Sequence, residues 1–160
     1  MWLDRILTMA NQILLVDDDP EVLEGYRRMM RREFRIETAC GAKEGLAAMY
    51  LLGPFAIVIA DMHLRGLDGA EFLARVRTLS PHTVRMLLAK RKDIKRVVVA
   101  VNEGRIFRCL TKPCEKEEWV AAIRLGLTQY RANKENSELL KEARERCRIE
   151  AGEEALIVHE

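Results

Sequence analysis

Five charged residues stand directly after short apolar runs, in a pattern that could support chemistry. They are Asp17, Asp18, Asp19, Asp61 and Lys112. Carboxylates packed together repel one another unless a cation compensates their charge. Oxygen-only ligands suit Mg²⁺, which is usually held by one or two carboxylates and several waters. A metal ion and a lysine beside an aspartate are suited to phosphoryl transfer, because both neutralise the oxygens of the transferred group.

The apolar runs have the character of buried parallel strands, since they are short and end abruptly. They cover residues 13–16, 55–60, 84–89 and 106–111, with a weaker alternating segment at 34–39. Amphipathic helical patterns lie between them. Strict alternation of five strands and five helices predicts a parallel sheet with helices on both faces. Such sheets bind ligands at the carboxyl ends of their strands, where the charged residues fall.

The helical patterns predict which side chains face the core. Asp19 is the expected N-cap of the first helix, because Pro20 suits the first helical position. The predicted apolar faces are Val22, Tyr26, Met29 and Met30 in the first helix, Leu46, Met49 and Tyr50 in the second, Phe72, Leu73 and Val76 in the third, Ile94, Val97, Val98 and Val101 in the fourth, and Trp119, Val120, Ile123, Leu127 and Tyr130 in the fifth.

Composition limits the class of protein without naming a partner. The chain has 160 residues, 49% hydrophobic and 32% charged, with a net charge of +2. This fits one domain with a short extension, and the small net charge does not predict a nucleic-acid partner. No apolar run reaches the roughly 18–20 residues that span a bilayer, so we expect a cytoplasmic protein without membrane contact. The four cysteines lack the spacing of a zinc site and are expected to be reduced thiols.

The last thirty or so residues differ from the rest. Residues 134–148 are rich in good helix formers. Leu139, Leu140, Ala143 and Cys147 form a narrow apolar seam. Two interpretations stay open, a solvated helix continuing the fifth one and a dimerising coiled coil.

Three segments resemble the response-regulator receiver domains of two-component signalling. They are residues 13–20 (ILLVDDDP), 57–69 (IVIADMHLRGLDG) and 110–113 (LTKP). The resemblance covers about residues 11–130. It implies a doubly wound, flavodoxin-like α/β fold with a five-stranded parallel sheet of order 2-1-3-4-5, five helices and a fifth helix extended at the C-terminus. The expected organisation is a receiver domain at 11–130 and a helical extension at 131–160.

The same resemblance implies a role for each site residue. Asp61 would accept a phosphoryl group from a sensor histidine kinase or a phosphotransfer protein. Asp18 would bind Mg²⁺ directly and Asp17 mainly through water, while His63 would offer its backbone carbonyl to the metal. Lys112 would pair with the phosphoryl oxygens. We expect no enzyme acting on another substrate, only a protein that catalyses its own phosphoryl acceptance and loss.

The chain departs from the family at both switch positions. Ala89 stands where the family has Thr or Ser, and Cys109 stands where it has an aromatic ring. A hydrogen bond to a charged group is worth roughly 1.5–3 kcal/mol, so its loss predicts a switch weakened by one or two orders of magnitude. Lys90 or Arg91 could replace the hydroxyl, although a solvated basic face is the simpler interpretation. The resemblance also implies a cis peptide bond before Pro113.

Two further hypotheses belong to different classes of function. The chain could be a degenerate receiver that acts as a phosphorylation-independent interaction module. It would then dimerise through the fourth helix, fifth strand and fifth helix, or through the C-terminal helix. A hydrolase using an aspartyl phosphate would need a second acid two residues beyond Asp61, where His63 stands.

Overall fold

The sheet has the predicted order, and the flavodoxin-like fold is confirmed. In the computed structural model, the described residues are 11–103 and 105–157. Five parallel strands run in the order β2-β1-β3-β4-β5. They are β1 (Ile13–Asp17), β2 (Ile36–Cys40), β3 (Ile57–Asp61), β4 (Val84–Lys90) and β5 (Arg108–Lys112).

Among the described residues, five helices connect and follow the strands. They are α1 (Pro20–Met30), α2 (Ala42–Leu52), α3 (Gly69–Leu79), α4 (Ile94–Asn102) and α5 (Lys116–Ile157), with a 3₁₀ turn (Arg91–Asp93) just before α4. Among the described residues, no helix combines the length and apolar character that crossing a bilayer requires. The chain divides into two units after Tyr130. In the second unit Leu139 and Leu140 are exposed, so the apolar seam stays a prediction.

Two apolar layers cover the sheet. Every residue of β1 and β3 is buried, which explains their nearly continuous apolar sequence. On one side, Trp119 and Ile123 of α5 pack with Met30 of α1. On the other side, Phe72 and Leu73 of α3 pack against the opposite face of the same strands. Burial on both faces fixes the strands, and with them the carboxyl edge where the charged residues lie.

The predicted faces of α2 and α4 are partly wrong. In α4, Val97 and Ala100 are buried, whereas Ile94 and Val98 are 54% and 50% exposed. Six of the eight residues from 94 to 101 are apolar, so periodicity alone could not select the buried stripe. In α2 the side chain of Tyr50 is 74% exposed. The buried residues of α2 are Ala42, Gly45 and Met49.

Candidate functional site

Three strand ends converge at the carboxyl edge of the sheet. Asp17 ends β1, Asp61 ends β3 and Lys112 ends β5. The Lys112 ammonium contacts the Asp61 carboxylate directly, and its Nζ lies 3.8 Å from Oδ2 of Asp17. Both aspartates are almost fully buried. The structure therefore brings together the two acids and the lysine that the sequence places after separate strands.

Each of the two carboxylates is oriented by a backbone group two residues further along the chain. Oδ1 of Asp61 accepts a hydrogen bond of 2.7 Å from the His63 N–H. Oδ1 of Asp17 accepts one of 2.9 Å from the Asp19 N–H. The remaining oxygen, Oδ2, of each acid is the one nearest Lys112. Asp19 itself caps α1 as predicted, accepting from the Glu21 N–H at 2.9 Å.

Asp18 has a different position from its neighbour. Its Oδ2 accepts a 2.8 Å hydrogen bond from the Arg65 N–H, in the loop that follows Asp61. Its backbone carbonyl accepts from the Cys40 thiol at 3.2 Å. The Asp18 carboxylate thus connects the end of β1 to the loop that follows Asp61.

The electrostatics of the site favour an additional cation. Burial raises the pKa of Asp17, the negative charge of Asp61 raises it further, and the Asp19 N–H and Lys112 only partly oppose this. Burial alone would lower the pKa of Lys112, but its hydrogen bond to Asp61 and the charges of both acids outweigh burial and raise that pKa. One ammonium therefore serves two close carboxylates, which continue to repel each other.

This donor set fits a hard divalent ion such as Mg²⁺. The negative charge of Asp61 disfavours ionisation of the buried Asp17 carboxyl, and a cation between the two acids would relieve this repulsion. Among the described residues, no group of three or more His, Cys, Asp or Glu side chains could hold a metal alone. Asp17 and Asp61 would therefore need Asp18, the His63 carbonyl or water to complete the shell. Mg²⁺ commonly keeps water, so this set is sufficient.

A pocket of about 240 Å³ opens above Asp61. Its walls are formed by Asp61, His63, Leu88, Ala89, Lys90, Lys92 and Lys112. Ala89 lies in the wall and has no hydroxyl to offer, as the sequence indicates. Lys90 and Lys92 line this pocket, whereas Arg91 lines a separate groove of about 570 Å³ beside Cys109. Of the two basic residues that could replace the missing hydroxyl, Lys90 lines the pocket beside Asp61 and Arg91 does not. Lys92, which was not suggested, also lines this pocket.

Sequence reasoning missed a contact between His63 and Asp93. The His63 Nε2 lies 3.0 Å from Oδ2 of Asp93, which is only 6% exposed. The same oxygen accepts a 3.3 Å hydrogen bond from the Lys90 N–H. Burial would raise the pKa of Asp93, but the hydrogen bond and charge of His63 outweigh burial and lower it. An acid just before a helix could have been noted as a capping residue, but nothing in the sequence indicated its pairing with His63.

Tyr26 is a second residue whose place the sequence did not indicate. Burial raises its pKa, and the charges of Lys112 and Asp17 act on it. Its ring lies 4.5 Å from the Trp119 ring, centroid to centroid. A residue predicted only as part of an apolar face therefore connects the acid pair to the core under α5.

The strand that carries Lys112 also carries the second switch position. The peptide bond between Lys112 and Pro113 is cis, as the resemblance implies. Cys109 is half-buried, burial raises the pKa of its thiol, and the thiol donates to the Leu110 carbonyl at 3.6 Å. Burial and the neighbouring Glu118 raise the pKa of Cys114 to about 12. Neither thiol is activated as a nucleophile.

Gly69 is required because the chain passes close to Asp61 at that point. A methyl group at Gly69 would overlap the Asp61 carbonyl oxygen and lie 2.9 Å from the Met62 Cα. We expect Gly69→Ala to lower the free energy of unfolding by about 1–3 kcal/mol, measured by urea denaturation. The matched control is Gly25→Ala in α1, where a methyl meets nothing within 4 Å. This control should raise stability by about 0.5–1 kcal/mol, and equal behaviour of the two variants would contradict the prediction.

Curated relatives are similar in sequence over most of this chain. The hydrogenase transcriptional regulatory protein HoxA of Cupriavidus necator is 31% identical over 112 residues, covering 70% of this chain and 23% of the relative. The transcriptional regulatory protein CpxR homolog of Haemophilus influenzae is 35% identical over 116 residues, covering 71% of this chain and 49% of the relative. The chain thus spans between about a quarter and a half of these relatives.

Solved structures show the same fold. A chain described as adenylate cyclase from Rhodopirellula baltica is 37% identical, with a TM-score of 0.79 over 82% of this chain and 97% of that one. The signal receiver domain of an HD domain-containing protein from Pseudomonas fluorescens is 31% identical, with a TM-score of 0.72 over 78% and 92%. The family model of the response regulator receiver domain matches residues 13–124. With that match over more than half of its length, the chain belongs to the response regulator receiver domain family.

Proposed function

We propose that this chain accepts a phosphoryl group on Asp61 in a magnesium-dependent reaction of phosphorelay signal transduction. The observation that carries the proposal is the position of the Asp61 carboxylate. One of its oxygens is fixed by the His63 N–H, the other contacts Lys112, and a pocket of about 240 Å³ opens beside it. A buried nucleophile held in one orientation with a cation beside it is what phosphoryl transfer requires.

The proposed donor is a phosphohistidine of a sensor kinase or a phosphotransfer protein. In the transfer, the phosphorus–nitrogen bond of the donor breaks and a bond forms between phosphorus and an Asp61 oxygen. The electron pair of the broken bond stays on the departing imidazole. Lys112 neutralises charge on the phosphoryl oxygens and shields the nucleophile from an anionic donor. The proposed location is the cytoplasm, and the proposed activity is limited to acceptance and loss of this group.

A bound magnesium ion would supply further charge neutralisation at the phosphoryl oxygens. Asp18, Asp61 and the His63 carbonyl would hold it directly, and Asp17 would contribute mainly through water. Burial and, to a smaller extent, the negative charge of Asp61 raise the pKa of Asp17, which supports this proposal because a metal would relieve the repulsion between the two acids.

The proposal is tested by incubating the protein with acetyl phosphate and measuring its intact mass. One phosphoryl group per chain is expected with millimolar magnesium, and none when EDTA removes the metal. A metal-free sample supplied with calcium in place of magnesium is a control for ionic strength and charge and should gain little mass, since Mg²⁺ demands a tighter octahedral geometry than Ca²⁺. An unchanged mass with magnesium, under conditions that modify another receiver domain, would contradict the proposal.

A second candidate function is dimerisation without phosphorylation. It is favoured by the exposed apolar side chains on one face of the receiver, namely Ile94, Val98 and Val101 in α4 and Phe107 just before β5. Exposed apolar groups of this kind commonly mark an interaction surface. A protein that gains no mass with acetyl phosphate, yet is a dimer by light scattering, would favour this candidate over the first.

A further inference from the structure

Among the described residues, two side-chain contacts connect the loop after β3 to the start of α4. His63 pairs with Asp93 at 3.0 Å, and Asp68 pairs with Arg96. The second pair lies at the surface, where such contacts contribute little. Asp93 is buried, so the His63–Asp93 contact is the one that can couple α4 to the loop that follows Asp61, called the acceptor loop below.

His63 takes part in both the acceptor pocket and this contact. Its backbone N–H donates to Oδ1 of Asp61 at 2.7 Å, and His63 lines the pocket beside Asp61. Its Nε2 faces Oδ2 of Asp93. An ionised carboxylate only accepts hydrogen bonds, so the Nε2–H of His63 is the donor. A single residue therefore borders the pocket beside Asp61 and, through its ring, holds the residue that precedes α4.

Resting on the function proposed above, we propose that the His63 ring donates to a phosphoryl oxygen when Asp61 is phosphorylated, and that Asp93 holds the ring when it is not. An aspartyl phosphate carries roughly two negative charges on oxygens that extend into the pocket, where the unmodified Asp61 carries one and Asp93 carries one. The donor moves to the stronger acceptor. Asp93 keeps its bond from the Lys90 N–H and lies near the Lys92 charge, so it is not left uncompensated.

This exchange would transmit phosphorylation without the hydroxyl that Ala89 lacks. A ligand shifts a conformational equilibrium only through contacts that differ between the two states. The His63–Asp93 contact is such a contact, because it joins the acceptor loop to α4 in one state only. Lys90 and Lys92 also line the pocket, and their exposed side chains are the alternative sensors of a phosphoryl group that an experiment must separate from His63.

The test uses amide NMR of the full chain with magnesium and beryllofluoride, a stable mimic of the phosphoryl group. Occupancy is measured by fluorine NMR, and displacements of the amides of residues 94–102 are compared at full occupancy. In the natural protein these amides should shift. In His63→Leu the shifts should fall at least about fivefold, and His63→Gln, which retains a donor near the Nε2 position, should restore part of them.

A second variant tests the resting state without the mimic. Asp93→Asn still accepts from the Lys90 N–H but holds His63 through a neutral amide, which is a weaker acceptor. In this variant without the mimic, the amide chemical shifts of residues 94–102 should already lie part of the way toward those of the natural protein with the mimic bound. Glu103→Gln is the control, since it breaks the Glu103–Arg105 pair at the far end of α4 and should leave the amide positions of residues 94–98 unchanged.

Each other outcome overturns the inference. Full displacement in His63→Leu would assign the response to another group, with Lys92 and Lys90 next to examine. Binding of the mimic to the natural protein without displacement at 94–102 would mean that α4 is uncoupled, as Ala89 and Cys109 alone predict. Failure of the natural protein to bind the mimic and to gain mass with acetyl phosphate would overturn the proposed function as well.

Discussion

Asp61→Asn is expected to gain no mass with acetyl phosphate, at any magnesium concentration, while the natural chain gains one phosphoryl group. Asparagine keeps the shape of the side chain, and its amide oxygen can still accept from the His63 N–H. It has no carboxylate oxygen to attack phosphorus. The loss should therefore be complete, because no remaining group in the pocket replaces the nucleophile.

The matched control for this prediction is Asp68→Asn on the same loop. Asp68 caps α3 by accepting from the Glu71 N–H at 2.9 Å, and asparagine is an equally good cap. Phosphoryl uptake by this variant should equal that of the natural chain. Persistent modification of Asp61→Asn, located by peptide mapping to another acid, would identify a different nucleophile.

The strand ends were predictable because a strand buried on both faces has an almost continuous apolar sequence. β1 and β3 are fully buried, so their apolar runs stop where the chain leaves the core. The first polar residue after such a run must lie at the carboxyl edge, which placed Asp17 and Asp61 together. The position of Asp19 as a helix cap followed from the same local rule.

The features that could not be predicted depend on contacts between residues that are far apart in the sequence. Thirty residues separate His63 from Asp93, and their contact depends on where α4 begins relative to the acceptor loop. Lys92, and not Arg91, lines the pocket because the 3₁₀ turn before α4 directs successive side chains to different sides. Local patterns describe which residues share a helix face but not which face another element covers.

Lys112→Met should slow phosphoryl uptake by about a hundredfold to a thousandfold, measured as the rate of mass gain with acetyl phosphate at saturating magnesium. The Lys112 ammonium is fixed against Asp61 before reaction, so its charge acts on the phosphoryl oxygens without reorganisation. Methionine keeps most of the side-chain volume and removes the charge. The metal and the nucleophile remain, so the rate should fall without reaching zero.

Without metal, Lys112→Met should also be less stable than the natural chain. Two buried carboxylates, Asp17 and Asp61, would lose their shared ammonium, which should cost about 1–3 kcal/mol of unfolding free energy in urea denaturation. The pKa of Lys112 is raised in the folded protein, so its contribution is fully present below its ordinary value of 10.5 and is lost as pH rises through the folded value. The stabilities of the natural chain and the variant should therefore converge only at strongly alkaline pH.

Magnesium should stabilise Lys112→Met more than it stabilises the natural chain, because the ion would then be the only cation between the two acids. Lys116→Met is the matched control. Lys116 lies four residues further on and pairs with Glu33 at 2.9 Å, with 43% of its side chain exposed. Its loss should change stability by no more than about 0.5 kcal/mol and leave the rate of uptake unchanged. Equal magnesium stabilisation of Lys112→Met and the natural chain would mean that the ion binds away from Asp17 and Asp61.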